Sequence, residues 1–188
     1  DAKRSGQEVV APVAEEPAVD AELKYTTILT QADFDLWLKK LNDAKLIAFD
    51  TETTGIDAQQ AQLVGLSFAV QANEAAYIPL THSYMGVPDQ LDRDTVLRAL
   101  KPILEDPSKL KVGQHAKFDM NILANCAIGG DQSCGITVQG IAFDTMLESY
   151  VLDSTATRHD MDSLALKYLG HSTTSFQDIA GKGAKQLT

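Results

Sequence analysis

The chain has 188 residues, with 16 Lys and Arg against 26 Asp and Glu, for a formal net charge of −10. That length suits one domain with a real core, and a hydrophobic content of 44% excludes wholesale disorder. The acid excess argues against a cationic duplex-coating protein or a binder of anionic membranes, but not against a nucleic-acid enzyme whose metal ions supply positive charge locally.

Residues 1–24 are rich in Ala, Val, Glu and Pro and hold no aromatic residue. Three basic residues against six acidic ones leave them at −3, and Pro12 and Pro17 interrupt any helical period. This composition predicts a flexible linker or tail, as at the start of a domain cut from a longer chain. From Tyr25 the pattern turns globular. Ala32 to Leu41 sets Phe34, Trp37, Leu38 and Leu41 on one helical face. Lys45 to Asp50 is a short apolar run ending in an acid, which reads as a buried strand, and Thr53-Thr54-Gly55 is turn chemistry. Leu63–Val70 and Ala75–Leu80 read as strands joined by a hairpin loop at Gln71 to Glu74. Helical spacing returns over Asp92 to Leu104, where Pro102 weakens or kinks the end.

Leu110 to Gly113 predicts another strand, Ala116 to Ala124 a helix and Gly129 to Ser133 a loop. Val138 to Phe143 predicts the last strand, after which Asp144 can cap a helix over Thr145 to Leu152. Asp160 or Asp162 can cap a helix from Ser163 to Leu169, ended by Gly170. Strands first and then strand–helix alternation predict an α/β layer structure with a mixed sheet.

The sharpest chemical feature is Asp50-Thr51-Glu52-Thr53. Strand side chains alternate, so carboxylates at i and i+2 lie on one side and can converge on a cation. Carboxylate oxygens are the hard ligands that Mg²⁺ or Mn²⁺ prefer. On its own an Asp-x-Glu pair is more often a solvated strand end. The D-x-D-x-T phosphatase pattern needs a second Asp where Glu52 stands, which counts against that chemistry. Gly113-Gln114-His115-Ala116-Lys117-Phe118-Asp119 puts Asp119 in the first turns of a helix after a strand, at the carboxyl end of a sheet, where α/β proteins place ligands. An acid there equally compensates the helix dipole. Gly140 to Tyr150 and Arg158 to Leu164 look individually like core packing and caps.

In this order the segments resemble the 3′→5′ exonuclease (proofreading) domain of bacterial DNA polymerase I, over roughly residues 25–188. Phe49 to Thr53, Leu63 to Phe68, Ala76 to Pro79, Gly140 to Tyr150, Arg158 to Leu164 and Ala180 to Gly183 carry the likeness. The resemblance implies a ribonuclease H-like fold of the DEDD exonuclease superfamily: a mixed β-sheet flanked by helices, with four carboxylates and two divalent metal ions, Mg²⁺ or Mn²⁺, Zn²⁺ being admissible at one site. Motif matching makes Asp50, Glu52 and Asp119 the first three acids. Asp50 would bridge both metals, Glu52 would bind the first and contact the terminal 3′-hydroxyl, and Asp119 would help hold the second. The fourth acid belongs to a Tyr-x-x-x-Asp motif on a later helix, so residues 25–188 are expected to be such a domain lacking its last helix or helices. Ile56 matches a Leu that wedges against the terminal base, Phe176 a Phe that packs on the 3′-terminal nucleotides, and Arg158 an Arg near the DNA backbone. Gln114, at a polar strand position of the motif, and His115, which replaces an Asn, are further expected substrate contacts, and Phe118 replaces a Tyr. Read without the resemblance, Ile56 and Phe176 are core residues.

The implied partners are a single-stranded DNA 3′ end and the polymerase domain of the same parent chain, in the bacterial cytoplasm at the nucleoid and with no membrane. Two-metal hydrolysis clamps the attacking and leaving oxygens of a phosphodiester, and a mismatched end frays more easily, which supplies selectivity. Carboxylates clustered without cations repel one another, so partial protonation is expected. Other chemistries are weaker. Cys126 and Cys134 are too few for a disulfide scaffold and read as reduced thiols. No apolar run approaches the ~18 residues of a membrane span. The four histidines show no zinc-ligand spacing, and Gly181-Lys182-Gly183 is too short for a Walker loop. The alternatives are a catalytically incomplete nucleic-acid-binding or structural module of the polymerase, and an RNA-trimming relative.

Overall fold

The structure, a computed structural model, describes residues 23–155 and 158–174. The tail up to Glu22, Phe176 and the stretch Ala180–Gly183 lie outside the described residues. Strand β1 (Lys24–Thr27) leads into helix α1 (Gln31–Asp43), followed by β2 (Leu46–Thr53), β3 (Leu63–Gln71) and β4 (Glu74–Pro79). Helix α2 (Arg93–Leu104), β5 (Leu110–Gly113), α3 (Ala116–Asn125), β6 (Ile141–Asp144), α4 (Thr145–Leu152) and α5 (Met161–Leu169) complete the order. The strands form one sheet ordered β1-β4-β3-β2-β5-β6. Strand β2 is antiparallel to β3 and parallel to β5, and β5 is parallel to β6, so the sheet is mixed as expected.

Four differences from the sequence reading have simple causes. Strand β2 runs to Thr53 and carries the acids inside the sheet, with a register shift between Glu52 and Thr53 where the turn was expected. Strand β1 begins at Lys24, within the stretch read as a tail; an edge strand of four residues shows too little alternation to register. Strand β6 begins at Ile141, because Gly140 adopts a φ of 74° and sits against the Lys109 carbonyl, where a Cβ would collide. Finally, α5 starts at Met161 rather than Ser163, because Asp160, one of the two expected caps, takes the N-cap position.

One face of the sheet carries the core. Ile47, Phe49, Leu66, Phe68 and Ile78 join Phe34, Trp37 and Leu41 of α1, Leu97 and Leu100 of α2 and Ile122 and Leu123 of α3 in one buried cluster. Each such side chain contributes roughly 1.5–3 kcal/mol by leaving water. Strand alternation turns Ala48, Asp50 and Glu52 to the other face. Register places Ala69 and Ala75 beside Ala48, Ser67 and Tyr77 beside Asp50, and Gly65 beside Glu52. A cleft of about 570 Å³ separates this face from α4 and α5, with Asp50, Gln114 and Glu148 among its lining residues. Among the described residues, no helix is long and apolar enough to cross a membrane.

Candidate active site

Strands β2, β5 and β6 run parallel, so their carboxyl ends share one sheet edge. Pairing of β2 with β5 stops at Ala48–Val112, which leaves the β5 side of Asp50 to Thr53 free. The chain instead turns at Gly113 into α3, and Asp119 fills the space. Asp119 is only 2% exposed, and its Oδ1 accepts hydrogen bonds from the Thr51 backbone N–H at 3.0 Å and the Thr51 hydroxyl at 2.5 Å. Asp50 and Glu52 flank that same Thr51 on the opposite sheet face.

The three acids feel one another unequally. Burial, followed by the charges of Asp119 and Glu52, pushes the Asp50 carboxyl up to about 6. Burial also raises Asp119, although the Thr51 hydrogen bonds and the nearby His115 oppose it. A carboxylate whose ionisation is opposed by burial and by like charge gains most from a cation. The donor set therefore fits a divalent metal. Among the described residues, no three His, Cys, Asp or Glu side chains already stand as a metal cage. Asp119 is turned to Thr51, whereas Asp50 and Glu52 face the cleft side.

The remaining expected site residues distribute as follows. Ile56 follows β2 and is 97% exposed, so it is no core residue. Gln114 has both ends of its amide engaged within the protein. Its Nε2 donates to the His159 carbonyl at 2.8 Å, and its Oε1 accepts from the Thr145 hydroxyl. It ties the end of β5 to the segment carrying Arg158. The Arg158 side chain pairs with Asp160 at 3.1 Å and stays largely in solvent. His115 is exposed at the N-cap of α3 with φ 59°, and its side chain makes no capping bond.

Sequence reasoning undervalued Asp144. Its carboxylate accepts from the Met146 and Leu147 N–H groups at the start of α4 and from the His115 and Ala116 N–H groups at the start of α3. One side chain thus caps two helices and sets the entry of the helix that carries Asp119. Its role as a cap of α4 was legible, but its second helix required β6 to lie beside β5.

A mixed sheet whose central strand carries paired acids beside a helix-borne third defines a ribonuclease H-like domain of the exonuclease type. The pattern of the 3′-5′ exonuclease family matches residues 25–188, and the chain belongs to that family. A DNA polymerase I from Pseudomonas aeruginosa is 69% identical over 188 residues, which is 100% of this chain and 20% of that protein. The chain thus spans about a fifth of that relative's length. Among solved structures, Brucella melitensis NrnC with bound Mg²⁺ shares the fold at a TM-score of 0.55 and 18% identity, over 82% of this chain and 65% of that one. Escherichia coli RNase D, an exoribonuclease, shares it at a TM-score of 0.55 and 20% identity, over 81% of this chain and 35% of that one.

Proposed function

We propose that this 3′-5′ exonuclease domain removes mispaired nucleotides from the 3′ end of DNA, by two-metal-ion hydrolysis, for a polymerase domain in the same parent chain. The observation that carries the reading is the pair Asp50 and Glu52 on β2 beside the buried, helix-borne Asp119, an arrangement in which burial and the charges of Asp119 and Glu52 lift Asp50 to about 6. Three acids on adjoining elements, with a buried member whose ionisation is disfavoured, are a donor set suited to divalent cations. Asp50, Glu52 and Asp119 would hold two divalent ions, Mg²⁺ or Mn²⁺. Bound there, such ions would supply a hydroxide from water at neutral pH and stabilise the departing 3′-oxygen. Thr51 holds Asp119 against rotation through two hydrogen bonds. Exposed Ile56 offers an apolar wedge to an unpaired base, and stacking or wedging contacts of this kind tolerate any sequence. Phe176 would pack on the same terminal nucleotides, and Arg158, free in solvent apart from Asp160, would meet the backbone phosphate.

The 69% identity to a DNA polymerase I supports a DNA substrate over RNA trimming, since the 20% identity to RNase D carries the fold alone. The parent would work in the bacterial cytoplasm, at the nucleoid. The test uses a 5′-labelled DNA strand with Mg²⁺ or Mn²⁺, for this chain and for one extended with the residues that follow Thr188 in its parent. Stepwise loss from the 3′ end, abolished by Asp50→Ala, is expected. Activity confined to the extended chain would place a further carboxylate beyond Thr188. Unchanged Mg²⁺-dependent degradation by Asp50→Ala would sink the assignment, and absence of degradation by both chains would favour a catalytically incomplete module.

A further inference from the structure

Tyr77 belongs to the face that carries the acids, since register sets it beside Ser67 and Asp50. Its ring does not stand upright there. It lies across Gly65, whose missing side chain makes the room, because a Cβ at Gly65 would overlap the Tyr77 hydroxyl. Gly65 is the register partner of Glu52, so the phenol leans toward that acid. Burial, followed by the charges of Glu52 and Tyr84, pushes the phenol up to about 12.

The orientation is held from the other end. Tyr77 Oη and His82 Nε2 lie 2.7 Å apart. His82 is itself fixed through its backbone. Its N–H donates to Gln90 Oε1 and its carbonyl accepts from Gln90 Nε2, both at 2.9 Å. The preceding Leu80 and Thr81 N–H groups both bond to the Val64 carbonyl. With the Nε2–H tautomer, His82 donates to the phenol oxygen, and the phenol proton is free to point elsewhere. A half-buried tyrosine with this much scaffolding and a glycine cleared for it is more than packing material.

We infer that Tyr77, aimed across Gly65 by His82, is a positioning residue for Glu52, its hydroxyl donating a hydrogen bond that holds the Glu52 carboxylate in its metal-binding orientation. The inference rests on the proposed role of Glu52 as a cation ligand. Holding a flexible, exposed Glu in one rotamer removes an ordering cost from cation binding. Tyr77→Phe deletes only the hydroxyl and keeps the ring over Gly65.

The test measures Mn²⁺ binding to the protein by titration calorimetry, beside exonuclease kinetics and thermal unfolding, for wild type, Tyr77→Phe and His82→Leu. For Tyr77→Phe the expected result is an Mn²⁺ dissociation constant raised about fivefold and a kcat lowered about tenfold, with KM for the strand and Tm nearly unchanged. His82→Leu moves in the same direction and carries the test if Tyr77→Phe folds poorly. Wild-type Mn²⁺ affinity in both variants overturns the inference alone, as does a loss that tracks Tm. If wild type binds Mn²⁺ but neither it nor the chain extended past Thr188 degrades DNA, the exonuclease reading falls, and the Mn²⁺ comparison still decides the role of Tyr77. If neither wild type nor the extended chain takes up Mn²⁺, both readings fall.

Discussion

The Asp119 carboxylate is held by Thr51 through two hydrogen bonds, at 3.0 Å from the backbone N–H and 2.5 Å from the hydroxyl. Thr51 is the residue between Asp50 and Glu52, so the spacer of the paired acids fixes the third. Thr51→Val keeps the shape and the backbone bond but removes the hydroxyl. Because Asp119 is almost fully buried, its carboxylate then lacks one of its two donors. Urea unfolding at neutral pH should show a loss of about 1–2 kcal/mol. The deficit should shrink at low pH, where Asp119 takes up a proton.

The raised Asp50 value has a definite sign for stability without metal. The folded-state pKa, about 6, exceeds the ordinary 3.8, so protons bind the folded state more tightly. That contribution is fully present below about pH 4 and is lost as pH rises through about 6. Asp50→Asn should therefore raise Tm by roughly 2–5 °C at about pH 8 and change it little at about pH 4. Asp119, also raised, adds to the same trend. Saturating Mg²⁺ should reverse the order, because the cation favours the ionised acid. Calorimetric scans across this range, with and without Mg²⁺, decide it.

Asp144→Ala removes the acceptor for four N–H groups at two helix starts. Losing one cap costs ~1 kcal/mol, so a loss of about 2–3 kcal/mol is expected in chemical denaturation. Asp144→Asn should recover part of it. Since α3 delivers Asp119, the Ala variant should also lose exonuclease activity by more than its unfolded fraction explains.

Ile56 separates substrate contact from packing. At 97% exposure, Ile56→Ala should leave stability within about 0.5 kcal/mol of wild type. If the side chain wedges against the terminal base, KM for a single strand should rise about tenfold. A fall in Tm with KM unchanged would return Ile56 to a structural role.

Much of this fold could be read from local pattern. The apolar run before Asp50, the alternation that puts Asp50 and Glu52 on one side, and the strand-to-helix step that precedes Asp119 are each a pattern among residues close together in the chain. The Asp144 and Asp160 caps of α4 and α5 were legible for the same reason, since these capping bonds reach no further than three residues. The ordered motifs also sufficed to recognise the exonuclease family.

Other features exist only between segments far apart in the chain. Thr51 meets Asp119 across 68 positions, and Gln114 meets the His159 carbonyl across 45. The second helix capped by Asp144 requires β6 to lie beside β5, and the aim of Tyr77 requires Gly65 beneath its ring. Sequence determined which chemistry the chain carries, because residue types and strand alternation are local. Tertiary structure decided how each acid is held, because buried carboxylates and backbone N–H groups must find partners, and folding alone brings those partners within reach.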